Sequence, residues 1–290
     1  MTQLNPARIH DDTLGTADDE WFPPLLKWDR TVMKINVDRQ VIIDNIKSNI
    51  KRFVPQHVPH TEQSSHIAIV GGGWSLNDTL EELRDLYFQG VKLIALNGSA
   101  KWLVEHNLKP SMQVILDARQ ENAEFVIDVH GCKYFLASQT HPAVFDACEG
   151  KDTYIFHAMT DGSDIERGIL DEHYDKRWHP VPSAGTVGMV AIMLCRELGY
   201  RFQHLFGMDS CYSPSLEHHA YPQALNDQEG YRAFICAGRS FVCSAAQASQ
   251  AYTFRDVIRH NQHGIQLSVH GNGLLAHILR TGAELQEKAA

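Results

Sequence analysis

Nothing in this 290-residue chain runs the ~18 to 20 apolar residues that a membrane-crossing helix needs. The first residues, MTQLNPARIHDDTLG, lack the basic start and apolar centre of a secretory signal. Positive charge is scarce as well. Lys and Arg number 26 against 35 Asp and Glu, a formal net charge of −9, which argues against a protein that coats nucleic acid. A local basic pocket for one phosphate is compatible with that balance. The six cysteines include no C-x-x-C pair, so they read as reduced, mostly buried thiols. Seventeen histidines occur without an H-E-x-x-H or a Cys/His ligand spacing, which excludes the common zinc sites. G-K-[ST], G-x-S-x-G and the kinase signatures are missing too. The expectation is a soluble, cytoplasmic protein with no nucleic-acid partner and no membrane span, and with homo-oligomerisation open.

What is present is an alternation. The run HIAIV stops at three glycines, Gly71, Gly72 and Gly73, and LNDTLEELRDLYFQG follows with apolar residues at helical spacing. VKLIALN, SMQVILDA, CKYFLAS, DTYIFHA and FQHLFGMD read as further strands, and AKWLVEHNL, GTVGMVAIMLCRELGY and SAAQASQAYTFRDVIRHNQHG as helices. IQLSVHGNGLLAHIL repeats the strand, glycine turn and helix. Alternation of this kind predicts an α/β, Rossmann-like, doubly wound and mostly parallel sheet with helices on both faces over residues 61–290. Residues 1–60 differ. DDEWFPPLLKWDR reads as an irregular aromatic segment, and Val41, Ile42, Ile46 and Ile50 predict one amphipathic helix in an N-terminal extension.

Ligands of such sheets bind at the carboxyl ends of the strands. Glycines there allow positive φ and close approach, and helix N-termini favour anions. Ser75 with Asp78 fits an S-x-x-D capping signal, which makes residues 71–78 a ligand-facing turn entering a helix. Leu76 stands where a dinucleotide fingerprint has its third glycine, and Asn97 ends the second strand where an acid is expected. Other strand ends offer Asn97 and Ser99; Asp117 and Arg119; Ser183, Gly185 and Thr186; Asp209 and Tyr212; and then His218, His219 and Tyr221. Each also has a structural reading: Asn97 and Ser183 as helix caps, Asp117 and Asp209 as turn acceptors, the histidines as an exposed loop.

IVGGGWSLNDTLEEL, LIALNGSAKWLVEHNLKPSMQVILDAR and SAGTVGMVAIMLCRELGYRFQHLFGMDS resemble the MptE-like domain. That group includes archaeal 6-hydroxymethylpterin diphosphokinases and motility accessory factors that glycosylate flagellin. The pattern is also similar to bacterial lipooligosaccharide sialyltransferases, over roughly residues 65 to 280. That likeness implies that Gly71, Gly73, Ser75 and Asn97 line a nucleotide, that Tyr212 or Tyr221 bonds its phosphate, and that His218 or His219 is a general base. Gly72 departs from an asparagine of the sialyltransferase turn, and Trp74 from a proline.

Three readings follow. The first is a glycosyltransferase using a nucleotide-activated, CMP-linked sugar and a small-molecule, glycan or protein acceptor, with no cofactor required. The second is pyrophosphoryl transfer from ATP to a pterin-like alcohol, with Mg²⁺ held by Asp117 and Asp209 at adjacent strand ends and Trp74 or Trp102 stacked on the pterin. The third is a nucleotide-binding protein without catalysis.

Overall fold

A computed structural model describes residues 37–160, 162–183, 185–223, 230–260 and 264–287. The aromatic segment at 18–30 lies outside them. The expected strands are β1 (Gln63–Val70), β2 (Lys92–Leu96), β3 (Met112–Ile115), β4 (Lys133–Ala137) and β5 (Asp152–Met159). The sheet strands continue with β6 (Pro180–Pro182), β7 (Tyr200–Phe206), β8 (Tyr231–Cys236), β9 (Arg239–Ser244), β10 (Gln266–Val269) and β11 (Leu285–Glu287), of which β7 and β10 are expected from the sequence and β6, β8, β9 and β11 are not. The helices are α1 (Arg39–Asn49), α2 (Leu80–Phe88), α3 (Ser99–Glu105), α4 (Pro142–Ala147), α5 (Asp164–Tyr174), α6 (Val187–Glu197), α7 (Ala245–His260) and α8 (Leu274–Thr281).

Among the described residues, one eight-stranded parallel sheet has the order β10-β7-β1-β2-β3-β4-β5-β6. Burial on both faces explains why the central strands β2, β3 and β4 read as nearly unbroken apolar runs. Ile67 and Ile69 join the core beneath α6, whereas Ala68 and Val70 pack with Leu83 of α2 and Trp102 and Leu103 of α3. The chain starts in the sheet interior at β1, steps outward to β6, and returns through α6 to β7 on the other side of β1. Met189, Val190, Ile192 and Leu194 of α6 are buried, each contributing roughly 1.5–3 kcal/mol over an exposed position. This reversal of winding places a topological switch point between β1 and β7.

Two features depart from the expectation. β8, β9 and β11 form a separate antiparallel sheet that the sequence rhythm does not announce. Its hairpin turns on Ala237 and Gly238, both at positive φ, a geometry usually signalled by Asn-Gly or Asp-Gly. In α1 the buried stripe is Ile43, Ile46 and Ile50, with Val41 left 39% exposed. Asn45 and Asn49 take the remaining buried positions. The Asn49 amide donates to Ser138 O at 3.0 Å and Thr140 O at 2.6 Å, and Asn45 to Gln139 O and Ala118 O. These bonds satisfy loop carbonyls beyond β3 and β4 and seat α1 on that end of the sheet.

Candidate functional site

The crevice at the switch point is walled by the turns after β1 and β7. Gly71 N–H donates to Phe206 O at 2.8 Å, and Gly73 N–H to Gly207 O at 2.7 Å. A Cβ on Gly71 would stand 2.5 Å from Gly207 O, and one on Gly73 would stand 2.7 Å from the same oxygen. Turn-on-turn packing by itself therefore requires these two glycines. Gly72 differs. Its Cβ would meet only side chains, the Tyr221 hydroxyl at 2.6 Å and the His219 ring.

Ser75 does not cap an α-helix, contrary to the S-x-x-D reading. Residues Trp74–Leu76 form a 3-10 turn, and α2 begins only at Leu80. Ser75 is fully buried, and its backbone N–H donates to Asp209 Oδ2 at 3.0 Å. Asp209 is buried too; its backbone oxygen accepts from Leu274 N at 2.8 Å, and a Cβ on Gly273 would overlap its carboxylate. Burial pushes the Asp209 carboxyl up to about 6, against the opposing effect of its hydrogen bonds from Ser75. Asp209 thus knits three turns together.

Asp117 and Asp209 are not on adjacent strands, which corrects the shared-metal reading. β2 and β1 lie between β3 and β7, which at ~4.8 Å per strand puts the two strand ends about 14 Å apart. The Asp117 carboxylate is occupied by Arg119, whose Nη2 donates at 2.6 Å and Nε at 3.0 Å. Among the described residues no three His, Cys, Asp or Glu side chains gather as a metal site. Trp102 is 3% exposed and its indole N–H donates to Asn77, so its ring is not available to stack on a pterin. The Trp74 indole N–H donates to Cys211 O.

Asn97 adopts a left-handed φ of 49° at the end of β2, a conformation asparagine tolerates. Its backbone oxygen accepts from the Gln113 amide at 3.0 Å, while its side-chain oxygen is buried without a protein partner. Ser99 is fully buried and internal to the fold: its hydroxyl donates to Val70 O and accepts from Leu96 N–H. Ser183 directly follows β6, and its hydroxyl accepts from Gly185 N–H at 3.4 Å. Thr186 caps α6, accepting from Met189 N–H. The first turn of α6 reaches the crevice, because a Cβ on Gly188 would meet Met208 Cε at 2.6 Å. Gly185 and Thr186 are thereby brought toward the glycine turn from a strand at the far edge of the sheet.

The loop over residues 211–223 covers Gly72. Gly73 and His219 form an antiparallel bridge, and Ala220 N–H donates to Gly72 O at 3.0 Å. The rings of Tyr212, His218, His219 and Tyr221 follow one another with centroid separations of 5.2, 4.1 and 6.2 Å. The Tyr221 hydroxyl also lies 3.4 Å from where a Gly98 Cβ would be, so this ring spans the ends of β1 and β2. Burial raises the Tyr221 phenol strongly. Burial, and then the neighbouring His218, lower His219 to about 4, which keeps its imidazole neutral at pH 7. Gln113, Gly98 and Phe125 complete this mouth and were not foreseen; the Gly after Asn97 was the only hint in the sequence.

A family described as 6-hydroxymethylpterin diphosphokinase MptE-like matches residues 40–215. Among solved structures, the MAf glycosyltransferase from Magnetospirillum magneticum AMB-1 superposes with a TM-score of 0.56 at 12% identity, covering 88% of this chain and 44% of its own. A mammalian sialyltransferase gives 0.40 at 10% identity, covering 86% of this chain and 84% of its own. The chain spans less than half the length of the MAf structure, and at such identity the likeness is one of fold. No curated protein matches. Among the described residues no helix is long and apolar enough to cross a membrane. With a family match over more than half its length, the chain belongs to the MptE-like family.

Proposed function

We propose that the protein is a nucleotide-dependent transferase, and that the transferred group is a sugar carried on a nucleotide. The observation that carries this reading is the seating of His219 and Tyr221 directly over Gly72, beside Asn97 with its unpartnered side-chain oxygen. In that arrangement the first turn of α6, with Gly185 and Thr186, faces the phosphate. Asn97 contacts the nucleoside. The acceptor hydroxyl attacks the anomeric carbon and gives its proton to the imidazole of His218 or His219. The bond from that carbon to the phosphate oxygen breaks, its electrons leave with the nucleotide, and the Tyr221 hydroxyl donates a hydrogen bond to the departing phosphate. The MAf neighbour, a glycosyltransferase by name, supports the class through its fold alone. A CMP-linked donor remains part of the proposal through the sialyltransferase-like motifs.

The family's description favours a second reading, pyrophosphoryl transfer from ATP to a 6-hydroxymethylpterin-like alcohol. Its Mg²⁺ would be held by one carboxylate together with the substrate's phosphates, since Asp117 and Asp209 do not meet. Nucleotide binding without catalysis is the third. A thermal-shift panel of CMP, CDP, UDP, GDP and ATP, each with and without Mg²⁺, separates them. A ligand at about 100 times its Kd stabilises by roughly 2.7 kcal/mol. Stabilisation by CMP without metal, followed by turnover of a CMP-sugar, is the expected result. Stabilisation by ATP with Mg²⁺ alone overturns it in favour of the diphosphokinase. Binding of CMP with no turnover of any CMP-sugar supports the non-catalytic reading.

A further inference from the structure

Outside the crevice, four side chains form one hydrogen-bonded line on the side of the sheet that α2 covers. His66 Nδ1 meets His204 Nε2 at 2.9 Å, His204 Nδ1 meets His270 Nε2 at 3.1 Å, and His270 Nδ1 meets Glu82 Oε2 at 2.7 Å. Stacking fixes the end rings, His66 on Phe202 and His270 on Phe206, with centroids 4.8 and 4.0 Å apart. The nitrogens meet pairwise along a line and do not converge on a point, as a metal site would require.

The carboxylate sets the direction of the whole line. An ionised Glu82 only accepts, so His270 carries its proton on Nδ1 and, when neutral, leaves Nε2 bare. That bare nitrogen requires Nδ1–H on His204, whose bare Nε2 in turn requires Nδ1–H on His66. His66, which is exposed, keeps Nε2 outside the line. Around the line, Glu81 of α2 pairs with Arg84, Asp85 is exposed, Arg201 of β7 is held by Glu62, and β10 offers only Gln266 and Ser268. Burial first, then His270 and His66, lower His204 to about 4.

We propose that this line is a single-proton relay that makes the junction between α2 and the end of β10 sensitive to pH. A proton binds His66 Nε2. His66 passes its Nδ1 proton to His204 Nε2, and His204 passes its own to His270 Nε2. The charge arrives on His270 as an imidazolium facing the Glu82 carboxylate. A second proton would place like charges on adjacent rings and is opposed. The junction adjoins the crevice at both ends: α2 continues from the glycine turn, and Gly271, next to His270, abuts Ser75. The ion pair stabilises the junction below the midpoint of proton uptake and is lost above it.

Histidine tautomers read by long-range 1H–15N correlation on the full chain from pH 5 to 9 test this. At high pH all three rings should be Nδ1–H. On acidification the signals of His66 and His270 should change together, along one common curve. Glu82→Gln, a change at an exposed side chain, should move the midpoint of that curve to lower pH, and His204→Leu should split it into two. An Nε2–H tautomer on His204 or His270 at high pH, separate midpoints in the wild type, or a midpoint unmoved by Glu82→Gln overturns the proposal. Should His204→Leu not fold, Glu82→Gln and the wild-type tautomers decide.

Discussion

The Ser75 backbone N–H donates to the Asp209 carboxylate at 3.0 Å, joining the turn after β1 to the turn after β7. This contact closes the floor of the crevice with a buried acid, and it makes stability depend on pH. The Asp209 carboxyl sits at about 6 in the fold against an ordinary 3.8. Its contribution is therefore fully present below about pH 4 and is lost as pH rises through 6, by roughly 3 kcal/mol in all. Asp209→Asn should remove this loss. Urea denaturation at pH 4, 5, 6 and 7 should show wild type and variant diverging in that direction; parallel curves would mean that Asp209 titrates normally.

Buried histidines act with the opposite sign. His57 and His157 are each lowered to about 3, chiefly by burial. Their neutral forms belong to the folded state, so stability falls as pH drops below about 6.5. The slope is about 1.4 kcal/mol per pH unit for each histidine. Replacing His57 by Gln should flatten the acid limb of a stability–pH curve by about that slope, whatever it costs at pH 8. An unchanged acid limb would contradict the burial.

The three glycines should separate by consequence. Gly71→Ala and Gly73→Ala press a methyl group into Gly207 O and should cost about 1–3 kcal/mol, read by denaturant unfolding. Gly72→Ala meets only the Tyr221 and His219 side chains. It should displace the covering loop, leave stability within about 1 kcal/mol, and weaken nucleotide binding at least tenfold by calorimetry. Equal destabilisation by all three would count against the division of roles.

Much of this was legible in the residues. The buried strands read as apolar runs because both of their faces are covered, and the glycines after β1, β2, β7 and β10 marked tight turns. The site was less legible. His218, His219 and Tyr221 stood out as residue types suited to the chemistry, yet only a loop returning over Gly72 brings them to Asn97. Ser99 and Ser75 looked like ligand contacts because a hydroxyl near a glycine turn has the same appearance whether it faces solvent or a neighbouring strand. The histidine line left no trace at all, since His66, His204 and His270 stand far apart in the chain.

By itself the sequence determined the layered parallel sheet, its winding units and the rim on which function is placed, because hydrophobic period and turn chemistry are local properties of the chain. Only the tertiary structure decided which strand ends are neighbours. The order β7-β1-β2-β3 pairs Asp209 with Ser75 and parts it from Asp117. That order is set by the return of α6 across the sheet, a long-range packing choice that no local pattern of residues encodes.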